Sequence, residues 1–241
     1  MTITSSLLTI AFYLLIFVPL ILIFMEKNKM NNIRIILFSF CFILYSMALR
    51  VSMFIEVLRI GNGNWSGKII AIVLGCLCFV IFKKYFNENN FFTRKQDTKN
   101  IKSVIIVSCI TILLLCIQSL FDGSEQPNSI EYLLFELLMP GIDEEIMFRG
   151  ILLGLLLSSI KVRIPLIGNP SLLMISLLFG LGHGLQIGPD FSFNIDPVTI
   201  VYTGILGYIL GWITIKTKSI LFPIIMHNAF NFLPTLILRI K

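Results

Sequence analysis

Three short polar groups stand in a chain that is otherwise oily. The first is Asp143-Glu144-Glu145-Ile146-Met147-Phe148-Arg149, three carboxylates and a guanidinium between the almost entirely apolar stretches 132–138 and 151–160. The second is Phe179-Gly180-Leu181-Gly182-His183-Gly184 and the third is His227-Asn228-Ala229-Phe230-Asn231; together they hold both histidines of the chain. One ionised side chain at mid-bilayer costs about 2.5 to 3.5 kcal/mol on insertion scales, so four of them in seven positions call for a function. A carboxylate, two imidazoles and a carboxamide drawn from three helices can serve two chemistries. In one, Glu144 acts as general base on a water with help from His183, and His227 and Asn231 donate hydrogen bonds to the oxyanion of a tetrahedral intermediate, with no cofactor required. In the other, Glu144, His183 and His227 hold a zinc ion that lowers the pKa of its water. Both end in hydrolysis of an amide. The chain lacks the contiguous His-Glu-x-x-His of helix-borne zinc proteases, which makes the metal version the weaker.

Spacing ranks the residues within each group. Pro140 and Gly141 are expected to end a short helix over 130–139, placing Asp143 near the start of a new one. On that helix Glu145 and Arg149 are i and i+4 and should pair, which explains how an arginine is tolerated there. Glu144 is rotated about 100° from Glu145, lacks this partner, and can face a cavity. It is therefore the carboxylate expected to move a proton. Phe179 and His183 share one helix face, as do His227 and Asn231, while Asn228 lies off that face and is free to bond a neighbouring helix. The glycines around His183 remove side-chain bulk and let helices approach. Each group alone has a plainer explanation, a structural ion pair or a packed histidine; their combination is what points to a site.

The elements that would position these groups are transmembrane. At 56% hydrophobic residues, 13% charged and a mean hydropathy of +0.92, the chain lies far from soluble domains, which are about 25% charged. Apolar runs of roughly 17 to 25 residues span a bilayer, and candidates fall at 7–25, 35–55, 69–82, 104–120, 142–160, 171–185, 198–215 and 220–238. The expected fold is all-α, a single polytopic membrane domain over 1–241 with about eight transmembrane helices. The third run is short and the second contains Arg50, so seven spans plus a re-entrant piece is the alternative. Basic residues collect in alternate loops: Lys27, Lys29, Arg34, Lys83, Lys84, Arg94, Lys95, Lys99, Lys102, Lys161, Arg163, Lys216 and Lys218 are 13 of the 19. The other side has acidic loops near 122–131 and 190–196, with only Arg59, Lys68, Arg239 and Lys241. By the positive-inside rule both termini lie outside, and on this layout Glu144 and His183 fall nearer the outer leaflet than His227.

The net charge of +6 then reflects contact with anionic lipid at the inner leaflet, not nucleic acid. A cleavable signal peptide is not expected, because the first apolar run is too long and has no basic residues before it. Cys41, Cys76, Cys78, Cys109 and Cys116 all fall in spans and read as small apolar residues, with Cys76 and Cys78 on different helix faces. The basic linker 83–102 reads as a solvated connector.

Glu-Glu-x-x-x-Arg at Glu144, Glu145 and Arg149, Phe-x-x-x-His at Phe179 and His183, and His-x-x-x-Asn at His227 and Asn231 occur in that order over about 130–235. This set resembles the CAAX protease and bacteriocin-processing family (CPBP, or Abi). The resemblance implies an all-helical intramembrane endopeptidase with a catalytic core over 130–235, in which Glu144 with His183 activates water and His227 with Asn231 forms the oxyanion site. It also implies a peptide or membrane-protein substrate: a bacteriocin or pheromone precursor, its leader remnant, or a bacteriocin met in self-immunity. A short chain rich in Ile, Lys and Asn fits the bacterial plasma membrane better than a prenylated eukaryotic target. The alternative within such a family is a non-proteolytic scaffold that regulates a sensor kinase or cell-wall enzyme. A proton-coupled transporter is disfavoured because the first half of the chain has no counterpart to the motifs of the second.

Overall fold

A computed structural model of the chain describes residues 2–61, 63–123, 127, 129–165 and 168–240. The helices are α1 (Ile3–Phe24), α2 (Lys29–Ala48), the single turn α3 (Val51–Phe54), α4 (Trp65–Phe82), α5 (Ile101–Phe121), α6 (Ile130–Glu144), α7 (Leu153–Ser159), α8 (Pro170–Gly184), α9 (Pro197–Thr217) and α10 (Leu221–Ile240). A π-helical segment, Glu145–Leu152, joins α6 to α7 without a break, and a hairpin of β1 (Leu185–Ile187) and β2 (Phe193–Ile195) follows α8. α1, α2, α4, α5, α9 and α10 are long and apolar enough to cross a membrane. The other two expected spans are the composite helix over 130–159 and the short α8. Arg50 lies just past the end of α2.

The composite helix is the centre of the bundle, packed against α2, α4, α8, α9 and α10. Its whole π segment is buried. Pro140 does not end it. A proline removes one helix bond and its ring pushes the adjoining turn open, and within a membrane a backbone group freed in this way can be satisfied by a neighbouring helix. Here the Gly141 N–H donates to Asn228 Oδ1 of α10 at 2.8 Å. Asp143 is thus deep in a continuous helix, not at the start of one.

The basic loops meet at one end. Glu26 N–H donates to Ser159 O, Arg34 to the carbonyls of Tyr85 and Ser158, Asp97 N–H to Thr217 O and Ile220 N–H to Phe91 O. At the opposite end Trp65 donates to Glu131 and Arg239 to the Ser129 carbonyl. Lys241 and residues 124–126 and 128 of the acidic loop lie outside the described residues. The linker 83–102 is not a solvated connector: Phe86 and Phe91 are buried, and Phe92 stacks on Phe79 at 3.9 Å. Gly150 and Gly154 of the central helix make room for it, since a Cβ on either would collide with Phe92 or with Asn89 and Phe86. Cys78 is buried and Cys76 exposed, as their opposite faces require.

α8 and α9 touch most intimately. A Cβ on Gly180 would lie 2.4 Å from the Ile200 carbonyl and one on Gly184 2.6 Å from that of Asp196, whereas Gly182 faces open space. The hairpin, unforeseen in an all-helical reading, turns at Gly188-Pro189-Asp190. Strands of three residues are too short to show the alternation by which strands are recognised.

Candidate active site

Glu144 and Glu145, neighbours in sequence, are held by different cations. Arg149 Nη1 donates to Glu145 Oε1 at 2.8 Å and its Nη2 to the Gly207 carbonyl at 3.0 Å, with both side chains wholly buried. Glu144 has a partner that sequence spacing did not reveal. Lys68 of α4 donates to Glu144 Oε1 at 2.9 Å and to Asp143 Oδ1 at 2.8 Å, and Tyr45 OH donates to Asp143 Oδ2 at 3.1 Å. Lys68 is therefore no loop residue: it is 8% exposed, inside the bundle. Three buried carboxylates against Arg149 alone would leave two negative charges uncompensated, and that imbalance was the available signal for a second cation.

The two imidazoles converge on the oxygen that Lys68 leaves free. Glu144 Oε2 accepts no hydrogen bond from the described protein groups, and His183 Nε2 and His227 Nε2 each lie 3.8 Å from it. Each ring is fixed from behind. His183 Nδ1 lies 2.8 Å from the Phe179 carbonyl, which can only accept, so Nδ1 holds the proton and Nε2 presents a lone pair when the ring is neutral. His227 Nδ1 donates in the same way to Glu145 Oε1 at 2.7 Å. Phe179 occupies the space between these groups, with its ring 4.5 Å from that of His183, 6.0 Å from His227 and 4.4 Å from the Arg149 guanidinium.

These groups open onto one cavity of about 330 Å³, lined by Lys68, Glu144, Phe179, His183, His227 and Asn231 among others. Asn231 is thus brought to the site as its spacing with His227 implies, and Asn228 to the helix contact expected of it. The carboxylate and both imidazoles share one level of the bundle, which corrects the expectation that His227 lies deeper. The reason is that the helix begins at Ile130, so Glu144 is about 21 Å along its axis. Glu144, His183 and His227 are the set expected to hold a zinc ion; among the described residues no three His, Cys, Asp or Glu side chains are grouped so that they could hold a metal ion.

Comparison with known proteins gives one assignment. No curated protein and no solved structure matches the chain. A family profile does, the Rce1-like type II CAAX prenyl endopeptidase, over residues 126–233, a little under half of the 241. That span takes in Glu144, Glu145, Arg149, Phe179, His183, His227 and Asn231 but not Lys68. Residues 126–233 thus match the Rce1-like type II CAAX prenyl endopeptidase family, CPBP.

Proposed function

We propose that the chain hydrolyses a peptide bond of a membrane-associated peptide or protein, with Glu144 as the base that activates water. The observation that supports this most is Glu144 Oε2, buried, without a hydrogen-bond partner among the described residues and facing two oriented Nε2 atoms across the cavity. A water held between Glu144 Oε2 and His183 Nε2 gives its proton to Glu144 as its oxygen attacks the carbonyl carbon. The carbonyl electrons move to oxygen, and His227 and Asn231 donate to the resulting oxyanion. For His227 Nε2 to donate, the ring must hold both protons, and Glu145 at Nδ1 is its counter-ion. Glu144 then returns its proton to the departing nitrogen as the C–N bond breaks, which restores the enzyme.

The family supports a peptide substrate. A bacteriocin or pheromone precursor, or a bacteriocin met in immunity, fits a bacterial plasma membrane. The test is complementation of a deletion strain with wild type, Glu144→Gln and His227→Ala at matched membrane levels, reading the phenotype and the peptides that accumulate. Glu144→Gln is expected to remove turnover by a factor on the order of 10² to 10⁴ while the protein stays folded, and an uncut precursor should build up in both variants. Full rescue by both would move the chain to the scaffold class.

A further inference from the structure

A second groove leaves the catalytic cavity at His183. It has a volume of about 320 Å³ and is lined by His183, Gly184, Gln186, Asn194, Ile195 and Asp196. The His183 side chain is 38% exposed and is common to both spaces. Gln186 and Asn194 face each other across the hairpin, so their two amides form a polar floor beside the imidazole.

The hairpin also has one open edge. Gly188 N–H donates to Ser192 O and Asp196 N–H to Gly184 O, so 188/192, 186/194 and 184/196 are the hydrogen-bonded pairs. The backbone groups of the intervening residues point outward. On β1 they are covered by α1: Ile187 N–H donates to Thr9 Oγ1, and Tyr13 OH donates to Leu185 O. On β2 the N–H and C=O groups of Phe193 and Ile195 meet no partner among the described residues. An extended chain pairs naturally with such an edge.

Charge narrows the occupant. From residue 164 to residue 215 there is no Lys or Arg, and Asp190 and Asp196 are the only carboxylates. The hydroxyl and backbone N–H of Thr199 hold the Asp196 carboxyl below the usual carboxylate range, so it stays ionised.

We infer that this groove is a substrate subsite that receives an extended, positively charged segment of the peptide beside the bond to be cut. The inference rests on the endopeptidase reading for its occupant, and binding can be tested apart from turnover. The Glu144→Gln chain in zwitterionic phosphatidylcholine nanodiscs is titrated with a fluorescein-labelled 12-residue peptide of alternating Lys and Val, and with its Glu–Val counterpart. The Lys–Val peptide should bind and the Glu–Val peptide should not. Replacing Gln186 and Asn194 together by Ala should weaken binding about tenfold, the loss expected for two hydrogen bonds. Asp196→Asn keeps a good helix cap and should lower both affinity and its salt dependence. Absence of binding, equal binding of the acidic peptide, or indifference to both variants would overturn the subsite. Binding to Glu144→Gln without any cleavage by the wild-type chain would uphold the groove and count against the endopeptidase reading. Cleavage that ignores the groove variants would do the reverse.

Discussion

Lys68 is the residue whose removal tells most about the site. It is a single cation between two buried carboxylates, and breaking a buried pair by deleting one partner costs about 3 to 5 kcal/mol because a charge is left uncompensated. Lys68→Met should destabilise the protein by about that much, and Lys68→Met with Asp143→Asn should recover a large part of it, since only Glu144 then lacks a cation. Thermal unfolding in detergent measures both. Equal stability of Lys68→Met and wild type would mean that the ion pair contributes nothing. The Glu145–Arg149 pair was legible beforehand because i, i+4 spacing within one helix is local. Lys68 was not, because Asn64-Trp65-Ser66-Gly67-Lys68 has the polarity of a loop and its partners lie 75 and 76 positions away.

At the scale of elements, the central helix shows how a sequence rule fails in a membrane. Pro140-Gly141 is a stop signal where water can take up the freed backbone groups, but in an apolar bundle the chain gains more by continuing and borrowing a side chain. Asn228→Ala should therefore leave the Gly141 N–H buried and unpaired, at about 1 to 3 kcal/mol. Unfolding should detect it, and Asn228→Asp, which keeps the acceptor, should cost less. Unchanged stability in Asn228→Ala would show that the helix satisfies itself. The π segment was not legible either. An i→i+5 stretch has no composition of its own, and such bulges gather at functional sites; here it spans Glu145 to Leu152 and contains both members of the buried ion pair.

At the scale of the molecule, eight apolar runs and the alternation of basic loops were sufficient to give the all-α bundle and its two ends, since both follow from composition averaged over many residues. What averaging hides is packing within a loop. The linker 83–102 reads as solvated by its charge, yet its phenylalanines close the basic end of the bundle. The same blindness applies to α8, whose apolar run gives no warning that it stops short. At 15 residues it extends about 22 Å, against a hydrocarbon layer of about 30 Å. A helix this short dimples the lipid around it, so the bilayer should be thinnest beside His183, where water has the shortest path to the cavity that Glu144 lines. Turnover should then depend on acyl-chain length, rising in vesicles of short-chain phosphatidylcholine and falling in long-chain ones, and a flat response would show that α8 and its hairpin are shielded from lipid by the rest of the bundle.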